Sequence, residues 1–150
     1  MGGSTNNNAA TVFAVVAGVA YTGLGIIGFA FANTGFVADT GESFIGFDLN
    51  IFHNIVHLAI GVGFLVASRL DDTITQGVII GGGLVYVLAA LLGFLNQLQI
   101  LSIDDSLAPV SFLHIVSGSA AIIFGLIGAR QTDELVERGS RGARNRPRRA

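Results

Sequence analysis

The sequence predicts an all-α protein, a bundle of four transmembrane helices built from two repeated helical hairpins, with both ends on the cytoplasmic side. Three observations carry this expectation. Of 150 residues, 51% are hydrophobic and only 12% are charged, too few to coat a soluble globule. Four charge-free apolar stretches have the length of about 20 residues that crosses roughly 30 Å of hydrocarbon. The charges are also segregated: the first 38 residues carry none, whereas six Arg and no carboxylate lie between Arg138 and Ala150.

Taken in order, residues 1–10 form a polar N-terminal segment without Lys or Arg. The apolar run behind it is too long for a signal-peptide core, so the first span, 11–32, is expected to be a retained helix. The loop 33–50 holds Asp39, Glu42 and Asp48 and no basic residue, and the second span, 51–69, closes on Arg69. The third span covers 76–97. A second loop, 98–108, again has carboxylates only, Asp104 and Asp105. Pro109 opens the fourth span, 109–129, where a missing N–H costs nothing, and Arg130 closes it. The positive-inside rule then puts the acidic loops outside, and Arg69, Arg130 and both termini in the cytoplasm.

The membrane domain is thus 11–130, followed by a cytoplasmic Arg-rich tail, 131–150. That tail reads as a short charged segment, Asp133 to Arg138, and then disorder. Its Arg138, Arg141, Arg144, Arg146, Arg148 and Arg149 are expected to meet anionic lipid headgroups, at about 1 kcal/mol each near the surface. No nucleic-acid partner is expected.

Small residues interrupt every span, among them Gly61/Gly63, Gly77/Gly81, Gly81-Gly82-Gly83 and Ser117-Gly118-Ser119. In lipid such residues let helix backbones approach closely. Spans one and three also share a pattern, Tyr21 before Gly28-Phe29 and Tyr86 before Gly93-Phe94 at the same distance. His57-Leu58-Ala59-Ile60-Gly61 likewise matches His114-Ile115-Val116-Ser117-Gly118. The repeating unit is a hairpin, and a parallel repeat has its pseudo-two-fold axis along the membrane normal.

With no Cys, disulfides, thiolate metal sites and cysteine nucleophiles are excluded. The chemistry left inside the spans is three imidazoles: His53 and His57, one helical turn apart on one face, and His114 near the start of the fourth span. At about 1.5 Å per residue back from the Arg ends, His53 and His114 lie roughly 24 Å above the cytoplasmic edge and His57 one turn deeper. By depth His114 matches His53; by local motif it matches His57. An ionisable group at membrane depth marks a functional site by default, because an unpaired one costs several kcal/mol.

Three fates are open to these groups. As neutral hydrogen-bonders they would pair with Asn50, Asn54, Ser111, Ser117, Tyr21 or Tyr86 across the bundle. As axial ligands they would hold a haem or a chlorophyll-type pigment, with Gly61 and Gly118 making room for a flat ring and Asn54 as a supporting polar group. A bare metal site is less favoured: Asp48, Asp104 and Asp105 could add ligands, yet no HxH or HExxH spacing occurs. No carboxylate lies within a span, so neither acid–base catalysis nor a midplane ion site is indicated, although Gly81-Gly82-Gly83 could unwind the third helix.

The run Asn50-Ile51-Phe52-His53-Asn54-Ile55-Val56-His57-Leu58 followed by Gly61, with Phe112-Leu113-His114 followed by Gly118, resembles a family of small four-helix bacterial membrane proteins catalogued as domain of unknown function 4383. The similarity covers about residues 11–130, without the Arg tail. It departs in the second half, where Ser111 stands near the position at which the family tends to carry an Asn before its His. The resemblance implies fold, topology and a bacterial inner-membrane location, and points to His53, Asn54, His57 and His114 as positions to test; it implies no reaction.

The expected function is that of a non-enzymatic accessory or structural subunit, packed on other membrane subunits or on itself and anchored in the bilayer. Haem or pigment binding is the alternative, and a small-solute or ion pathway a lesser one.

Overall fold

The computed structural model describes residues 8–31, 36, 43–44, 47–48, 50–103 and 107–144. The loop acids Asp39, Glu42, Asp104 and Asp105, and the tail residues Arg146, Arg148 and Arg149, lie outside the described residues, as does the side chain of Asp48. Four helices make the fold: α1 Ala9–Phe31, α2 Ile51–Ala67, α3 Asp72–Phe94 and α4 Pro109–Arg144. Between α1 and α2, β1 Ser43–Phe44 and β2 Phe47–Asp48 pair antiparallel over two residues each. The fold is all-α.

Helix ends follow local chemistry. Asn50 caps α2, its side-chain oxygen accepting from the His53 N–H at 2.7 Å while its Nδ2 donates to Ile100 O and Ser102 Oγ, both at 3.0 Å. One residue thus fixes the start of α2 and ties it to the α3–α4 connection. The α2–α3 turn is closed by Thr75, whose hydroxyl donates to Ala67 O at 2.7 Å. Past α3 the chain reverses through Asn96 at φ 55°, a 3-10 turn at Gln99–Leu101, and Ser102 at φ 56°. Asn takes the left-handed region at little cost; Ser102 is held there by its N–H to Gln99 O and by the Asn50 side chain.

Two boundaries differ from expectation. α2 is 17 residues long, about 25 Å, whereas α1, α3 and α4 are each long and apolar enough to cross a membrane. More marked is α4, which does not stop near Arg130 but runs on as one 36-residue helix to Arg144, where a charged segment and then disorder were expected. No proline interrupts this stretch. Glu134 and Arg138 (3.5 Å) and Glu137 and Arg141 (2.5 Å) pair one turn apart, and Arg141 and Arg144 complement the C-terminal dipole.

Packing is by hairpins: α1 lies mainly on α2 and α3 mainly on α4. The seams are made of glycine. A methyl group at Gly18 would come within 3.0 Å of Gly61 O, and one at Gly83 within 2.7 Å of Gly118 O. Further along, Gly28 faces the Asn54 amide and Gly93 faces the Ser111 hydroxyl, each too close for any side chain. Where the two hairpins meet, the core is Ala14, Ala17, Tyr21, Phe64, Ile79, Tyr86 and Ala121. Gly81-Gly82-Gly83 lies within the unbroken α3 and does not unwind it; Gly82 receives the Phe64 ring.

At the end of the bundle where α1 begins, polar side chains interlock. Asn8 Nδ2 donates to Gly128 O (3.1 Å) and Thr132 Oγ1 (3.3 Å), and Gln76 Nε2 reaches the same hydroxyl at 2.8 Å. The Ala9 N–H donates to Gln131 Oε1 at 2.9 Å.

Candidate functional site

The three imidazoles converge near the opposite end of the bundle. His53 and His57 project one turn apart from α2, with ring centres 4.6 Å apart, and His114 of α4 stands 6.0 and 6.3 Å from them. One ring nitrogen from each lies within 4.8 Å of one from each of the others. All three are buried, at 1%, 6% and 4% exposure. Asn50 positions the pair on α2, since its cap fixes the His53 backbone. Gly118, one turn below His114, lets α4 press against α3 so that His114 meets the Tyr86 ring edge-on at 4.9 Å.

Tyrosines form the floor. Tyr21 meets His57 edge-on at 5.7 Å, as Tyr86 meets His114, and the two tyrosine rings are 5.1 Å apart. The Tyr86 hydroxyl is buried there without a hydrogen-bond partner among the described residues. Beside the rings is a cavity of about 80 Å3, lined by the three His and Tyr86 and by the apolar Val56, Val85, Ala89 and Leu101.

The hydrogen bonds expected of the imidazoles are not made. Asn50 is spent on the α2 cap, and Ser117 Oγ donates to Leu113 O of its own helix at 2.8 Å. Among the described residues, His57 Nε2, His114 Nδ1, Asn54 Nδ2 and Ser111 Oγ are buried without a hydrogen-bond partner. Both nitrogens of His53 are in the same position, with the Leu101 backbone alongside. Each such atom costs about 1–3 kcal/mol when left unsatisfied. No carboxylate joins the cluster among the described residues.

The ring-binding arrangement fares differently from residue to residue. His53, His57 and His114 do come together, but Gly61 and Gly118 do not border open space. Gly61 is filled by Thr22 and the Gly18 carbonyl of α1, and Gly118 by Gly83 and Tyr86 of α3, so both serve helix contact. The Asn54 amide is set against Gly28 of α1. Pockets for drug-sized ligands are typically about 300–1,000 Å3, and a cavity of about 80 Å3 has no room for a tetrapyrrole as the bundle is packed. The tyrosine floor was not singled out as a unit in the sequence. Its traces were the shared Tyr-to-Gly spacing of spans one and three and the place of Tyr21 and Tyr86 among the expected partners of the imidazoles.

A family model described as Domain of unknown function (DUF4383) matches residues 11–127. No curated protein and no solved structure matches the chain.

Proposed function

The chain belongs to that family, and on this premise we propose a multi-pass protein of the bacterial inner membrane, both termini cytoplasmic, that holds a small ligand at its buried imidazoles and catalyses no reaction. One observation carries the reading: three buried imidazoles from two hairpins line one small cavity, and four of their six ring nitrogens are buried without a hydrogen-bond partner among the described residues. A bound ligand would recover part of that cost. The two hairpins are read as equivalent, with His114 corresponding to His57. The support is that Gly18/Gly61 and Gly83/Gly118, Gly28/Asn54 and Gly93/Ser111, and Tyr21/His57 and Tyr86/His114 are the same contacts made twice. In that register His53 has Val110 as its counterpart, so the third imidazole belongs to one hairpin only.

Because the chain has no Cys, single introduced cysteines report topology without background. An impermeant maleimide on intact cells is expected to label Gln97→Cys and not Ser140→Cys; the reverse pattern would overturn the orientation. Native mass spectrometry of gently extracted protein is expected to show a mass above that of the chain, lost in the His53→Ala/His57→Ala/His114→Ala variant. The bare chain mass in the wild type would overturn ligand binding.

A second reading, an accessory subunit of a larger membrane assembly, draws on α4. Leu135 and Val136 are 56% and 68% exposed on the charged part of the helix beyond Arg130, and would need another cover if the bilayer ends near Arg130. A chain that extracts alone and monomeric, unchanged by Leu135→Glu, would speak against it.

A further inference from the structure

We infer that the ligand is a single late transition-metal ion, coordinated by His53, His57 and His114 with a fourth position open to the cavity, and that the charge of the site selects monovalent copper. This rests on the ligand-binding reading above and gives that ligand its chemistry.

The donor set comes first. Imidazole nitrogen suits zinc, copper, iron and nickel, and hard oxygen-seeking ions such as Mg2+ and Ca2+ have no carboxylate here among the described residues. Metal–imidazole bonds of about 2.0–2.1 Å place the nitrogens of a three-coordinate or tetrahedral site about 3.3–3.6 Å apart. The three chosen nitrogens, now within 4.8 Å of one another, need to close by about 1 Å, which ring rotation about the Cα–Cβ and Cβ–Cγ bonds can supply. The adjoining cavity of about 80 Å3 then leaves space at the fourth position for two or three water-sized molecules at about 30 Å3 each.

Charge decides among the metals. The three ligands are neutral, no described carboxylate joins them, and the walls are Val56, Val85, Ala89 and Leu101. The cost of moving an ion from water into a low-dielectric interior grows as the square of its charge, so a divalent ion is penalised about four times as heavily as a monovalent one. With the described ligands alone, zinc, nickel and ferrous iron would each leave two uncompensated charges. Monovalent copper leaves one, and it accepts three nitrogen donors without needing an anion in the fourth position.

The test uses full-length protein in mild detergent, stripped with a chelator and titrated with Cu(I) in competition with bicinchoninate, and separately with Zn(II). One Cu(I) per chain is expected, with affinity reduced about tenfold or more in each of His53→Ala, His57→Ala and His114→Ala. Copper-edge X-ray absorption on the wild type, which needs no variant to fold, is expected to count three nitrogen neighbours. Zinc binding at least as tightly as Cu(I) would overturn the copper assignment. An organic mass in native spectrometry with no stoichiometric metal would overturn the metal site and leave the binding reading standing. No ligand of any kind would overturn both.

Discussion

The two hairpins meet their own partners in the same way and end differently. In each, a glycine pair brings the backbones together, a second glycine accepts a polar side chain from the neighbouring helix, and a tyrosine edge faces a histidine. At the end near the cavity the likeness stops: α2 carries Asn50 and His53, and the matching places of α4 are Leu107 and Val110. Val110 packs with Leu98 and Ile103 in a small apolar cluster, while His53 faces the other imidazoles. What repeats is the part that holds helices together. What differs is the part that could hold a ligand.

The largest effects should come from the shared seams. Gly61→Ala and Gly118→Ala each push a methyl group into a neighbouring backbone, at Gly118 to 2.8 Å from Gly83 O, and overpacking of this kind costs about 1–3 kcal/mol. Thermal unfolding in detergent should show similar losses for both; a loss confined to one would break the equivalence of the hairpins. Gly77→Ala and Gly81→Ala meet nothing within 4 Å and should instead gain up to about 1 kcal/mol from helix propensity in the same assay.

Next comes the asymmetric end. His53→Val copies Val110 into α2, and should weaken metal binding about tenfold or more while leaving the unfolding temperature unchanged or raised, since buried unpaired nitrogens are removed. A large loss of stability without metal present would mean that His53 is a packing residue. Asn50→Ala should cost about 1 kcal/mol through the lost cap, and more through the lost bonds to Ile100 and Ser102, and should loosen both the start of α2 and that turn, seen as faster amide exchange at both. The smallest change is expected from Glu137→Gln, which breaks an exposed pair worth about 0.3–0.5 kcal/mol and should only slightly reduce helicity near Arg141.

Much of this architecture was legible in the sequence because lipid imposes a simple rule. Charge-free runs must be helices, so α1 to α4 could be placed from composition. The meeting of His53, His57 and His114 was legible too, because one turn separates the first two and the repeat brings the third to their level. The register of the repeat was not, since depth counted from Arg69 and Arg130 favours His53 as the counterpart and the contacts favour His57. The extra turns of α4 explain why: Arg130 does not end its helix as Arg69 follows the end of α2, and so gives no common zero. Of the two roles that the sequence left to Gly61 and Gly118, helix contact and room for a flat ring, their surroundings favour the first. A glycine marks a close approach, but only the partner helix says what approaches.

The overshoot of α4 also bears on what its arginines can sense. As a straight helix it carries Arg138, Arg141 and Arg144 about 12, 17 and 21 Å beyond Arg130. Counter-ions at physiological strength screen a charge over about 8 Å, so attraction to a headgroup layer at Arg130 has faded by Arg138 and is largely gone by Arg144. An upright α4 therefore leaves bilayer contact to Arg69 and Arg130. The outer three would report instead on whatever polyanion comes within one screening length of the rod's tip.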